Sequence, residues 1–166
     1  MEYFLLKPFE GGCKIKMKSH NKDILICSMN KKGEEPDFTL SPCPLISNRF
    51  KELLEQFLPN MDFTPCVMEG KGEPDFWTFV PKEQAVEKAR FHPDGSVCAV
   101  EPMGLLPIFL VSNYKKVSYV IHLALAESLL RRGYVNLELE QIETLGGESY
   151  EYDWCNVCSG GNDKAK

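Results

Sequence analysis

Two cysteines in a short tail motif, Cys155-Asn-Val-Cys158, come closest to a chemical signature in this sequence. A redox pair of that spacing works when its first sulfur sits at a helix N-terminus, where the dipole stabilises a thiolate. Here Ser-Gly-Gly-Asn-Asp follows, which starts no helix. A structural zinc takes four ligands, and the three histidines, His20, His92 and His122, are all distant in sequence from this pair. The expectation is no metal and no cofactor, with Cys155 and Cys158 as free thiols of a tail. The alternative reading is an enzyme or metal-binding protein that uses them. The other cysteines, Cys13, Cys27, Cys43, Cys66 and Cys98, are scattered, and the total of seven is odd. That is no secreted disulfide framework. They read as small, near-core hydrophobes in a reducing compartment.

No phosphate-binding loop, dinucleotide fingerprint, nucleophile elbow or zinc-protease string occurs. Gly70-Lys71-Gly72 lacks the remaining positions of a phosphate loop. His122 falls at a strand-to-helix junction and reads as a cap or a core histidine. His92 precedes Pro93 in a turn, and His20 lies in a lysine-rich segment. Nothing singles out one cysteine as the partner of one histidine. The chain is therefore expected not to be an enzyme.

Charge is more informative by segment than in its total of −5. Residues 1–46 carry 7 basic and 6 acidic side chains. From Tyr134 to Asp163 there are seven acids (Glu138, Glu140, Glu143, Glu148, Glu151, Asp153 and Asp163) and no Lys or Arg. Such a stretch repels phosphates and attracts a basic partner. Nucleic-acid binding, which needs clustered Lys and Arg, is disfavoured. The plainer reading is a solvated strand and tail that keep the protein soluble. The first six of these acids are the candidate partner-binding residues.

These residues must be carried by a fold. The chain of 166 residues suits one domain with a real core. No run of about 18 apolar residues crosses a membrane, and the opening MEYFLLKPFEGG is no secretory signal. The expected location is the cytoplasm. Tyr3–Lys7, the alternating Lys14–Lys18 and Asp23–Cys27 predict an N-terminal meander of three strands. Glu-Pro-Asp-Phe occurs twice, at Glu35–Phe38 and Glu73–Phe76, and suits a turn entering a strand. Phe50, Leu53, Leu54, Phe57 and Leu58 lay one apolar stripe along a helix capped by Ser47 or Asn48 and stopped by Pro59. Strands are expected at Met61–Glu69, Phe76–Val80 and Leu105–Ser112. Pro93-Asp94-Gly95 predicts a hairpin turn joining Lys88–Phe91 to Val97–Val100. Residues 115–132 admit one long helix, but the β-branched and aromatic Val117–Ile121 favours a strand, then a helix over Leu123–Arg132 ended by Gly133. Asn136–Glu143 closes the sheet. There Glu138 and Glu140 share a face opposite Leu137 and Leu139. The predicted class is α+β: a mostly antiparallel twisted sheet with two short helices packed on it. Residues 1–146 form the domain, with 1–44 its strand-rich meander, and 147–166 an acidic, partly flexible tail.

Two stretches carry a resemblance. One is Leu45-Ile46-Ser47-Asn48-Arg49-Phe50-Lys51-Glu52-Leu53-Leu54 with Phe63-Thr64-Pro65 after it. The other is Ala126-Glu127-Ser128-Leu129-Leu130-Arg131-Arg132-Gly133 leading into Leu137–Glu140. Over roughly residues 45–143 the chain resembles predicted immunity proteins of bacterial polymorphic toxin systems. The first 44 residues and the Cys155/Cys158 tail have no counterpart there. The resemblance implies a cytosolic protein that binds and neutralises a cognate toxin domain, and it supplies no catalytic residues. A basic toxin would complement the acidic segment. A third reading is an interaction domain without a toxin partner. The sequence leaves oligomeric state open.

Overall fold

The structure is a computed structural model that describes residues 2–30, 32–102, 104, 106–133 and 136–146. Its elements, in chain order, are β1 (Tyr3–Lys7), β2 (Ile15–His20), β3 (Leu25–Met29), β4 (Phe38–Thr39), β5 (Leu45–Ser47) and α1 (Asn48–Phe57). Then come β6 (Thr64–Met68), β7 (Pro74–Thr78), β8 (Glu83–Gln84), a 3-10 turn over Val86–Lys88, β9 (Ala89–Phe91), β10 (Val97–Val100) and β11 (Ile108–Ser112). The last are β12 (Val117–His122), α2 (Leu123–Arg131) and β13 (Glu138–Thr144). The class is α+β. No helix among the described residues is long and apolar enough to cross a membrane.

The strands form two sheets rather than the single one expected. One has the order β8-β11-β12-β1-β13-β10-β9, the other β2-β3-β6-β7-β5-β4. Most ladders are antiparallel, but β3–β6, β8–β11 and β10–β13 are parallel, so both sheets are mixed. The N-terminal meander is corrected in the same way. β2 and β3 do pair with each other, while β1 belongs to the other sheet, between β12 and β13. The physical reason is the pattern of β1. Tyr3, Leu5 and Leu6 are all buried, so β1 needs cover on both faces, which a central strand has.

Alternation along the strands of the larger sheet separates two cores. Leu6, Ile108, Tyr119 and Ile121 face one way, into a core shared with α1, α2 and the second sheet through Phe38, Ile46, Phe50, Leu54 and Leu129. This core joins the two sheets. Tyr3, Leu5, Phe109, Val111 and Val120 face the other way and meet Val97, Val100 and Ile142. The larger sheet is therefore curled around the second core. Its edge strands β8 and β9 lie at opposite ends of the strand order yet are joined by one short 3-10 turn. The curl is tied across: the Val97 N–H donates to Ser118 Oγ at 3.3 Å, and Lys115 Nζ to the Pro93 carbonyl at 2.7 Å. Gly95, at φ +91, sits where a Cβ would come within 2.7 Å of the Lys115 Cβ. A third core, on the far face of the second sheet, holds Ile15, Leu25, Cys27, Leu45, Cys66 and Phe76.

Both helices start as the sequence indicates. The Ser47 hydroxyl accepts the Phe50 N–H, and α1 buries Phe50, Leu53 and Leu54, with Phe57 half-buried. Residues 115–132 split into β12 and α2, and His122 Nδ1 caps α2 by accepting the Ala124 N–H at 3.1 Å. Gly133, at φ +70, follows its end.

The two Glu-Pro-Asp-Phe copies also find their places. β4 and β7 flank β5, so both motifs arrive at the end where β5 becomes α1. They are out of step by one residue across β5. Phe38 lies opposite Ile46, and Phe76 opposite Ser47, and the two rings enter different cores. Asp37 is buried there. It accepts Ser47 Oγ at 2.7 Å and Arg49 Nε at 2.6 Å, and it also accepts Arg49 Nη2.

Candidate interaction surface

The described part of the acidic segment is β13. Leu139 packs into the core shared with the helices, and Glu138 and Glu140 project to the opposite side, as expected from the alternation. Glu143 has the parity of Leu139 and so leaves the strand on the other face from Glu138 and Glu140. The expectation of an uncompensated acidic run is corrected. Lys7 Nζ, on β1, lies 2.6 Å from Glu140 Oε2. Its hydrogen bond to Glu140, aided by the charges of Glu140, Glu138 and Glu10, holds the Lys7 ammonium above the ordinary lysine range. The compensating base comes from the start of the chain, so no local count of charge could have included it. Glu148, Glu151, Asp153, Cys155 and Cys158 lie outside the described residues.

A groove of about 830 Å³ opens beside β13. One wall is Glu140, Gln141, Ile142, Glu143 and Thr144, with Glu2 beside them; the other is Arg90, His92, Cys98 and Ala99. Consecutive residues of both parities line the first wall, and Glu2 lies across β13 at the start of β1, so the groove runs over the strand as well as along its edge. The cause is a splayed junction. β10 pairs with β13 only at Ala99–Glu143 and Val100–Thr144, and the chain continues this contact through the Leu145 N–H to the Val100 carbonyl at 2.7 Å. Before that point the two strands diverge.

The ladder pattern shows which backbone groups meet the groove. The Leu123 N–H donates to the Glu2 carbonyl, so on β1 the even residues bond to β12 and the odd ones to β13. The partners of Tyr3, Leu5 and Lys7 are Ile142, Glu140 and Glu138. Leu139 and Gln141 therefore aim their N–H and C=O groups away from β1. Among the described residues no strand pairs with them on that side.

The sequence reading missed the far wall. Arg90 and His92 are exposed and Cys98 is half-buried there. The hairpin that brings them in was legible, but not its position against β13, which rests on a parallel contact across the curled sheet. No hydrogen bond joins the Cys98 thiol to the His92 imidazole among the described residues. The other cysteines behave as expected. Cys13, Cys27 and Cys66 are buried, and Cys66 Sγ lies 3.0 Å from Cys27 Sγ. Burial first, then that contact, pushes the Cys66 thiol well up, which keeps it protonated and a poor nucleophile. Among the described residues no group of three or more His, Cys, Asp or Glu is arranged to hold a metal ion.

No family model, curated protein or solved structure matches this chain. Function therefore has to be argued from the surface itself. What that surface offers is carboxylates on an open strand edge, facing a groove.

Proposed function

We propose that the chain is an immunity-type protein that binds and neutralises a cognate bacterial toxin domain through a protein–protein interface centred on β13. One observation carries this reading: Glu2, Glu140 and Glu143 line one groove on and beside a single strand, and Glu138 stands two residues along that strand from Glu140. Three carboxylates of the groove, Glu2, Glu140 and Glu143, stand against Arg90 on its other wall, with Lys7 bonded to Glu140. Such a surface steers a basic partner into contact and speeds its association. It also repels nucleic acid, so a nuclease toxin's own substrate would not compete for it.

The test uses the toxin domain encoded beside this gene. The full chain should bind it and suppress its toxicity on co-expression. Charge reversal at Glu138, Glu140 and Glu143 should slow association and flatten its salt dependence without changing the melting temperature by more than a few degrees. A chain that neither binds nor protects is not its immunity protein. Reversal without effect at low or high salt places the interface elsewhere.

A further inference from the structure

Among the described residues no strand covers the β13 edge at Leu139 and Gln141, and unpaired edges are templates for another strand. Native sheets protect such edges with charge, and Glu138 and Glu140 serve that purpose against some partners but not all. A second copy of this chain is a poor occupant. Antiparallel pairing of two β13 edges through Leu139 and Gln141 would set Glu140 opposite Glu140, and like charges directly opposite are destabilising. An incoming strand with lysine or arginine at alternate positions meets the reverse situation. Its basic residues fall beside Glu138 and Glu140 on one face. Its intervening residues fall beside Leu139 on the other, where apolar side chains extend the contact with the core. The groove leaves room beside Gln141, and its far wall, Arg90, His92, Cys98 and Ala99, stands off where β10 pairs with β13 only from Ala99 onward.

The geometry points to β13 as a docking edge that accepts an extended segment of alternating basic and apolar residues from a protein partner, through the backbone of Leu139 and Gln141. Main-chain bonds supply the affinity in this mode, and the alternating side chains supply the choice of partner. This deepens the proposed function, and rests on it for the source of the segment, which would be a strand of the toxin domain. The edge itself is a property of this chain and is tested separately.

The probe is an acetylated, amidated hexapeptide, Lys-Val-Lys-Val-Lys-Val, compared with Lys-Lys-Lys-Val-Val-Val of the same charge and composition. Amide hydrogen exchange and resonance shifts of the full chain are followed by NMR. The alternating peptide should slow exchange at Leu139 and Gln141, and the block peptide should not. Gln141→Pro removes the outward N–H and no bond to β1, and proline is tolerated on strand edges. It should weaken the alternating peptide roughly threefold to tenfold, the loss of one backbone hydrogen bond. Should Gln141→Pro fail to fold, N-methylation of the peptide's central amides removes bonds from the ligand's side and should give the same loss.

Equal binding of both peptides, or shifts at the glutamates without slowed exchange at Leu139 and Gln141, would reduce the effect to charge attraction and overturn the inference. So would protection of those two amides in the free chain, which would mean that the edge is already occupied. The two readings fail separately. If the toxin domain binds without protecting Leu139 and Gln141, the immunity reading stands and the edge inference falls. If the alternating peptide engages the edge but the neighbouring toxin does not bind, the edge stands and the immunity reading falls.

Discussion

Lys7 reaches Glu140 on the diagonal of the β1–β13 ladder rather than Glu138, the residue directly opposite it. Among the described residues the choice leaves Glu138 without a bonded cation while keeping it within the field of the same ammonium. Both partners of the pair are about half exposed, so its contribution to stability is small, between about 0 and 1 kcal/mol. Its effect on the surface is larger. Lys7→Met should change thermal stability little and should speed association with a basic partner, most visibly at low salt, as stopped-flow mixing would show. A slower association would mean that Lys7 itself contacts the partner.

The Asp37 hub holds the junction of β4, β5 and α1. Asp37→Ala leaves Arg49 without its carboxylate and Ser47 Oγ without its acceptor, in a site where the carboxylate is buried. The expected cost is about 3 kcal/mol by denaturant unfolding, reduced from a fully buried pair because Arg49 is half exposed. A loss below about 0.5 kcal/mol would show that the hub relaxes into water.

Helix α1 anchors one side of the shared core. Leu54 is fully buried there, and Leu54→Ala should cost about 2–5 kcal/mol. At the other helix, His122→Ala should cost about 1 kcal/mol through loss of the cap, and His122→Asn, which can accept the same Ala124 N–H, should recover most of it. Equal losses for the two His122 variants would assign its role to the edge contact with the Tyr3 ring instead.

Burial, with a smaller contribution from the Cys43 thiol, pushes Tyr119 up to about 12. Below the ordinary tyrosine value near 10 both folded and unfolded chains keep this proton, so stability is unaffected. Between about 10 and 12 the unfolded chain gives it up and the fold does not, so stability falls by about 1.4 kcal/mol per pH unit. Tyr119→Phe should remove that part of the alkaline decline. An identical alkaline limb in the variant would show that other groups cause it.

Gln84 points into the second core from β8. Its Nε2 donates to the Lys88 carbonyl at 3.1 Å, and its Oε1 has no partner among the described residues. The Lys88 carbonyl also accepts the Glu101 N–H at 2.8 Å, so it keeps a partner if the glutamine is removed. Gln84→Met should therefore be neutral or stabilise by about 1 kcal/mol. Destabilisation beyond about 1 kcal/mol would point to a buried water bonded to Oε1.

Local chemistry made much of the fold legible. The Ser47 cap and the Phe50–Leu54 stripe, the Pro93–Gly95 turn and the switch from β-branched residues to helix at His122 all act within a few residues. Pairing does not. Nothing near Tyr3 says that its neighbours are His122 and Ile142, and the two-residue strands β4 and β8 are too short to show a period. For the candidate site, the alternation of Glu138 and Glu140 against Leu139 was readable. The ion pair with Lys7, the opposite wall and the open edge were not, because each depends on which strand lies beside β13.

The position of β1 also bears on how the protein is made. A ribosome releases Tyr3–Lys7 well before both strands that sandwich it, Val117–His122 and Glu138–Thr144, which lie more than 100 residues further along the sequence. Until those emerge, the apolar Tyr3, Leu5 and Leu6 have no ladder to join, and the larger sheet cannot close around its core. The β2–β3 hairpin can form early, but its parallel neighbour β6 and the rest of that sheet must wait for later sequence. Such long-range pairing folds slowly and exposes sticky intermediates on the way. Both sheets are thus completed only when their last strands arrive, and until then the apolar side chains of β1 and β3 stand without the neighbours that cover them.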